Sequence, residues 1–395
     1  MTQLNIKILF LFDDYGNFCN GIYERYKHLR SLKKNQIKKL NLKKLFIKKK
    51  RNFFFNYFLE LIERNKISTL VFTNAPWSYL NIQQIQILKN KFKIIFIVDD
   101  CEEYFEWFQL PFAKYTDMVL CHDYKDKKLF TENNILCNFF PQPSLLTNII
   151  NKKYNSINKR KFDIFFLGRS DRPGRVPQKY DFSQITNSVY FKFTNLEKIK
   201  ISNHEKLSIM QDSKIHINFS SSSFNNSYFS IYKKNKRSNN LKGRVYEAVL
   251  TDSIVVTEIS PGLDEIFYLP NSLFTFRNDD EMYDIIRGIL KGEIDTNKTI
   301  ENSKKCILPF FELEYYEELF FKIKKSENTI INIKNSFYYK FLKVYIAKES
   351  LKFFYYFIKK LDLSSSIYEL KNFFYYLNFH FFVYIYYYLK TKILS

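Results

Sequence analysis

Residues Asn239 to Glu265 read NNLKGRVYEAVLTDSIVVTEISPGLDE. The spacing of apolar positions predicts a helix from Leu241 to Leu250, a tight turn at Thr251-Asp252, a buried strand from Ser253 to Thr257, and a second helix opening at Pro261-Gly262. Asn239 and Asn240 are N-cap candidates, and Gly243 removes a side chain from the first turn, so that a ligand can approach the backbone. A helix start presents free N–H groups and a positive dipole end, and Lys242 and Arg244 add charge, which makes an anion site. Six residues beyond Leu241, at about 1.5 Å per residue, Glu247 lies roughly 9 Å along the helix and on the same face as Gly243. That placement suits a carboxylate gripping a ribose while the helix start holds a diphosphate.

The stretch resembles the signature segment of the group 1 glycosyltransferases, most closely that of the CgeB-like (spore maturation protein type) branch. Arg244, Tyr246, Glu247 and Ala248 match its Arg-aromatic-Glu-Ala helix. Thr257 and Glu258 match the end of its strand, and Pro261, Gly262, Leu263, Asp264 and Glu265 its Pro-Gly-Leu-Glu-Glu segment. Order, spacing and helix-strand-helix context make the match more specific than a lone short motif. Thr251-Asp252 stands where the family usually has Cys-Gly or a similar small pair, and Asp tolerates the left-handed backbone a glycine would supply. Asn239 stands where the wider group often has a first Glu.

At 395 residues the chain is long enough for two α/β domains. The formal charge of +22 points to an anionic partner, weakly, because much of it is Lys scattered among Asn, Ile, Phe and Tyr. Five cysteines (Cys19, Cys101, Cys121, Cys137, Cys306) form no C-x-x-C pair, which favours a reduced, cytoplasmic setting. The apolar run from Ile6 to Phe12 is interrupted by Lys7 and ends in Asp13-Asp14, so it reads as a first strand rather than a signal peptide.

From that strand the chain alternates. A helix is expected from Asn20 to Leu32 and another around 52–65; a strand from Ser68 to Thr73, a helix near 80–90 and a strand from Lys93 to Val98 follow. Then come a helix around 103–113, a strand from Asp117 to Cys121 and a short return from Ile135 to Asn138. Such alternation argues for a parallel sheet covered on both faces. Polar residues at strand carboxyl ends face the ligand crevice of such sheets, which singles out Asp13, Asp14, Asn74, Asp99, Asp100, His122 and Asp123. Direct attack by an acceptor hydroxyl needs a general base, and Asp13, Asp14, Asp100 and His122 are the candidates. Strand-end Asp and Asn are equally ordinary turn and cap residues.

Around Pro141 to Arg160 the pattern breaks into a linker. A new strand from Phe162 to Leu167 runs into Gly168-Arg169-Ser170-Asp171-Arg172-Pro173-Gly174-Arg175, which resembles the diphosphate-contacting loop of the same glycosyltransferases. Its arginines suit bidentate bonds to phosphate. A strand from Val189 to Thr194, a helix from Asn203 to Asp212 and a strand from Lys214 to Phe219 follow. His216, alternating with apolar neighbours, reads as a packed histidine rather than a ligand. Leu273 to Phe276 is a strand, Asp279 to Leu290 a helix, and Pro309 to Phe320 resembles the family's last helix, which crosses back to the first domain.

The expected architecture is therefore two Rossmann-like domains facing across a cleft, the GT-B arrangement: an acceptor-side domain (1–145), a linker (146–161), a nucleotide-sugar domain (162–325) and an aromatic, Lys-rich helical tail (326–395). In the tail, Phe373 to Leu389 is 17 residues long with Asn378 and His380 inside. A membrane span needs about 20. A helix pair lying in the plane of the inner membrane surface and an extension packed on the protein weigh about equally.

The resemblance implies transfer of a sugar from a nucleotide-diphosphate sugar to a hydroxyl of a glycan, glycolipid or protein, with no cofactor and no metal. Gly168, Arg169, Arg175, Lys242, Gly243, Arg244 and Glu247 would hold the donor. No His, Cys or carboxylate cluster has metal-ligand spacing, and the interleaved Lys and aromatics carry no RNA-binding signature, so nucleic acid is disfavoured. Two rivals stay open: a related enzyme moving another group, such as a polyol phosphate, and a non-catalytic protein of this fold that binds membrane or nucleic acid.

Overall fold

The computed structural model describes residues 7–13, 20–98, 105–169, 181–194, 202–222, 238–239, 241–325, 337–359 and 362–377. Six strands form the first sheet: β1 (Ile8–Phe12), β2 (Ile37–Asn41), β3 (Thr69–Phe72), β4 (Lys93–Val98), β5 (Met118–Cys121) and β6 (Cys137–Phe139). They pair in the order β2-β1-β3-β4-β5-β6, parallel throughout. Strands β1, β3 and β5 are buried along their whole length, as the continuous apolar runs require when helices cover both faces. Strand β2 (IKKLN) escapes the sequence reading. It is an edge strand whose Lys38 and Lys39 point to solvent, so its sequence looks like the Lys-rich loops beside it.

The second sheet holds β7 (Phe162–Arg169), β8 (Val189–Thr194) and β9 (Ser213–Asn218), followed after the two-residue ribbon β10 (Ser221–Ser222) and β11 (Ser238–Asn239) by β12 (Ile254–Glu258) and β13 (Phe274–Phe276). Its order is β13-β12-β9-β7-β8, again parallel. In each sheet the order reverses beside the first strand, between β1 and β3 and between β7 and β9. Those are the switch points where open α/β sheets leave a crevice at the strand ends.

The deciding stretch folds as helix, turn, strand and helix. Its helix spans Gly243–Leu250 and starts two residues later than expected; the N-cap is Lys242, with no side-chain cap bond. Asn239 lies in β11 and Asn240 outside the described residues, so the expected asparagine cap is not formed. Asp252 adopts the left-handed conformation, φ 57°, that the turn demands. Gly262 is left-handed too, φ 74°, and a Cβ there would lie 2.2 Å from the Tyr124 ring of the first domain.

Two further helices were not anticipated. Tyr124–Glu132 follows β5 and is N-capped by Asp123, and Thr296–Ile307 is N-capped by Asp295. Beyond it, short helical segments from Leu308 to Phe321 return to the first domain. There Tyr316, Leu319 and Phe320 join the core built by Phe10, Phe12 and Tyr26.

Arg25, fully buried on the Asn20–Leu32 helix, fastens this return. Its guanidinium lies 4.2 to 4.7 Å from the ring centroids of Phe140, Phe311 and Tyr316 and donates to the Phe310 carbonyl at 2.7 Å. Burial lowers its pKa against the influence of the nearby tyrosines.

The described part of the tail is a pair of helices, Phe337–Lys359 and Leu363–Leu377, packed on each other. One face docks on the first domain: Leu342, Ile346, Phe353 and Phe357 enter its core, and the rings of Phe46 and Phe353 approach to 4.8 Å. Tyr355, Ile358, Leu363, Ile367 and Phe374 stay exposed. Most of the aromatic run from Phe373 to Leu389 lies outside the described residues. Among the described residues no helix is long and apolar enough to cross a membrane.

Candidate functional site

A cavity of about 500 Å³ opens at the switch point of the second sheet. Phe165 and Leu167 of β7 and His216, Ile217 and Asn218 of β9 form its floor, and the start of the Gly243–Leu250 helix forms one wall. Gly21 and His122 close it from the first domain, and Gln142 and Ser144 from residues 140–147, the crossing segment that leads from β6 toward the second domain.

Four of the expected donor residues line it together: Lys242, Gly243, Arg244 and Glu247. The i, i+4 spacing of Gly243 and Glu247 puts both on the cavity face. Arg244 donates to the Leu167 carbonyl at 3.0 Å, which ties its guanidinium to the end of β7. Gly243 has a different reason from the one expected. A Cβ there would lie 2.8 Å from the Gln142 carbonyl oxygen, so the crossing segment, not a ligand, first demands the glycine. Gly168 sits at the end of β7, where a Cβ would strike the Phe166 ring. Arg169 ends the same strand, and its side chain, like Arg175 altogether, lies outside the described residues.

Glu247 is buried, yet its carboxylate is well supplied with donors. Oε1 accepts from the Ser144 backbone N–H at 2.8 Å and from the Ser144 hydroxyl; Oε2 accepts from Lys206 Nζ at 2.6 Å. Burial pushes the Glu247 pKa up, but the Lys206 charge and the bonds from Lys206 and Ser144 outweigh it and hold the pKa below the ordinary value. The group is an ionised carboxylate in the cavity wall.

His216 behaves as its alternation implied. It is buried, its ring lies 4.7 Å from that of Phe165, and Nε2 donates to the Met210 carbonyl at 3.2 Å. Burial brings its pKa down to about 3, so the imidazole is neutral. Beside it, Asn218 donates to Thr257 Oγ1 at 2.8 Å, while its buried Oδ1 has no hydrogen-bond partner among the described residues.

Of the acceptor-side candidates, His122 lines the cavity. Asp13 follows β1 and accepts from Asn74 at 3.0 Å across the switch point of the first sheet, away from the cavity lining. Asp14, Asp99 and Asp100 lie outside the described residues. Asp123 is a cap rather than a reactive group: Oδ1 accepts from Lys125 N at 2.7 Å and Oδ2 from Leu241 N at 3.0 Å, which pins the approach to the signature helix onto the first domain.

Lys206 and Ser144 were not anticipated. Lys206 lies on the Asn203–Gln211 helix, where the apolar pattern marks neighbouring Leu207 as core and leaves lysine to read as a solvated residue. Among the described residues no cluster of His, Cys or carboxylate side chains is arranged to hold a metal ion.

Residues 180–310, which include the signature helix, match the family model described as glycosyl transferase-like. No curated protein matches the chain.

Among solved structures, HepE from Anabaena in complex with UDP is similar at 9% identity, over 80% of this chain and 98% of that chain, with a TM-score of 0.50. An α-glucosyltransferase in complex with UDP and a DNA 13-mer aligns at 12% identity over 79% and 97%, TM-score 0.49. A glycosyltransferase from Rickettsia africae aligns at 11% identity over 81% and 100%, TM-score 0.46. The two parallel sheets and the helices around them thus form the GT-B fold of glycosyltransferases.

Proposed function

We propose that this chain transfers a sugar from a nucleotide-diphosphate sugar to a hydroxyl of a glycan, glycolipid or protein acceptor. One observation carries the reading. Inside the family-matched segment, an uncapped helix start, two cationic side chains and an ionised buried carboxylate converge on one cavity at a sheet switch point. The diphosphate takes the start of the Gly243–Leu250 helix with Lys242 and Arg244, extended by the Gly168-Arg169 strand end and by Arg175. Glu247 takes the ribose.

Breaking the sugar–phosphate bond builds negative charge on the leaving diphosphate, and preoriented N–H groups and cations stabilise it where a divalent ion would otherwise serve, so the transfer runs without metal. His122 is the acceptor-side candidate in the cavity wall and is assigned to receive the acceptor proton. The signature residues Arg244, Tyr246, Glu247 and Pro261-Gly262 favour the CgeB-like branch.

Calorimetry of nucleoside diphosphates and nucleotide sugars, UDP first because HepE is named with UDP, tests the reading. Micromolar binding without added metal, weakened in Glu247→Ala, supports it. A folded protein that binds no nucleotide would instead be a non-catalytic relative of the fold.

We further propose that the tail brings the protein to an anionic lipid surface, a reading supported by its charge and exposed aromatic and aliphatic side chains. Over residues 331–395, lysines at ten positions face three acidic residues, Glu349, Asp362 and Glu369. Lys352, Lys359 and Lys371 are exposed beside Tyr355, Ile358, Leu363 and Ile367. Tyrosine and lysine around an apolar stripe suit the headgroup layer. Full-length protein should sediment with vesicles containing phosphatidylglycerol and not with phosphatidylcholine alone. Leu363→Asp with Ile367→Asp should abolish this while nucleotide binding persists; unchanged sedimentation would remove the lipid reading alone.

A further inference from the structure

An ionised carboxylate offers about four acceptor sites, two on each oxygen. On Glu247 the Ser144 backbone and hydroxyl occupy both sites of Oε1, and Lys206 Nζ, at 2.6 Å, occupies one of Oε2. One acceptor site remains, on Oε2. Lys206 is left in a complementary position: of its three N–H bonds, one goes to Glu247 and a second aims at Ser144 Oγ, 3.5 Å away, so one remains to donate. Both side chains line the cavity, with Glu247 at 1% exposure and Lys206 at 20%. The wall therefore presents one acceptor and one donor side by side, fixed by their own ion pair.

We propose that Lys206 and Glu247 act together as a reader of a vicinal diol, the 2′,3′-diol of the donor's ribose. One hydroxyl donates to Glu247 Oε2, and the adjacent hydroxyl accepts from Lys206 Nζ. Glu247 alone, with one site left, has no second bond to give; Lys206 supplies it. Lys206 is thereby a specificity-determining residue that selects ribonucleotides over their deoxy counterparts. The assignment rests on the nucleotide-sugar reading of the same cavity. A site built to bond a hydroxyl discriminates strongly against the analogue that lacks it, because the protein groups are then left unpaired.

The test is calorimetry of the full-length protein with ribonucleoside diphosphates and their 2′-deoxy and 3′-deoxy analogues, for the wild type and for Lys206→Met. The wild type should prefer the ribonucleotide by on the order of tenfold or more. Lys206→Met, which keeps the aliphatic stem, should weaken the ribonucleotide and leave one deoxy analogue unchanged, bringing that ratio toward one. Equal weakening of both ligands, or an unchanged ratio, would mean that Lys206 only neutralises Glu247, and would overturn the proposal. If Lys206→Met does not fold, Lys206→Gln, which retains an N–H for Oε2, is read by the same ratio and should keep part of the preference. Binding of no nucleotide by the folded wild type would overturn the nucleotide-sugar reading and this one together; binding with an unmoved ratio would overturn this one only.

Discussion

Two helices, one from each domain, meet the crossing segment with the same device. Gly21 on the Asn20–Leu32 helix and Gly243 on the Gly243–Leu250 helix both press on the Gln142 carbonyl, where a Cβ would lie 2.4 and 2.8 Å from its oxygen. Each helix then sends a buried glutamate to a backbone N–H just beyond: Glu24 accepts from Thr147 N at 3.0 Å, Glu247 from Ser144 N at 2.8 Å. The next residue makes the difference. Arg25 fills its surroundings and sits among three aromatic rings, whereas Ala248 is small and lines the cavity. One grip is closed and structural. Both carboxylates hold a lysine, Lys27 on Glu24 and Lys206 on Glu247, but the second pair stands beside open space, with further cations in the same wall.

That contrast is broken most directly by paired substitutions. Glu247→Gln should lower nucleotide affinity by on the order of a hundredfold in calorimetry, because it removes both the ionised acceptor and the partner that orients Lys206. Glu247→Ala should in addition destabilise the fold by roughly 3 to 5 kcal/mol in a denaturant melt, since a buried ion pair is broken from one side. Glu24→Gln should leave nucleotide affinity within about twofold, its cost limited to weakening the charge-assisted bonds from Thr147 and the ion pair with Lys27, roughly 1.5 to 3 kcal/mol. Comparable losses of affinity from both glutamates would mean that the crossing segment, not the cavity wall, governs binding.

The residue after each glutamate sharpens the same comparison. Arg25→Ala should destabilise the protein by on the order of 3 kcal/mol, through the hole it leaves and the loss of its ring contacts. The return segment should loosen with it, visible as faster amide exchange over 308–321. Ala248→Ser, a small change in the cavity wall, should move stability by less than about 1 kcal/mol. If Arg25→Ala left exchange in the return segment unchanged, the aromatic cage would not be what fastens it.

How much of this was legible depended on whether a contact is local. Strands β4 and β8 and the helix Asp279–Leu290 carry strong apolar patterns with clear ends, and their observed bounds are those the sequence implied. Strand β2 and the helices Tyr124–Glu132 and Thr296–Ile307 were missed because they are edge or surface elements. Of the last, only Thr299, Ser303, Cys306 and Ile307 are buried, two of them hydroxyl residues that do not register as core.

In the site, Gly243 and Glu247 stand four apart on one helix, so a periodic reading brings them to one face. Ser144 and Lys206 reach Glu247 across 103 and 41 residues of chain, and nothing local marks them. The asparagine cap failed for a related reason. A good cap residue is common in an Asn-rich chain, and here the backbone enters the helix from Leu241, held by Asp123 of the other domain.

The floor of the cavity allows a last, smaller test of the open side. His216 has its pKa lowered to about 3 by burial, from an ordinary 6.5. Between those values the unfolded chain binds a proton that the folded chain does not, so stability rises with pH across the window and falls on acidification through it. One such group contributes a slope of about 1.4 kcal/mol per pH unit. Glu247, whose pKa is held down in the fold, adds to acid sensitivity in the same direction, its contribution being present above its unfolded pKa and lost as pH falls through the folded one. His216→Gln keeps a donor for the Met210 carbonyl but takes up no proton. Its denaturant-derived stability should therefore fall less steeply between pH 6 and pH 4 than that of the wild type, while Glu24→Gln should leave the His216 slope in place. An unaltered slope in His216→Gln would mean that water reaches the imidazole in the fold and that the cavity floor is wetter than its burial implies.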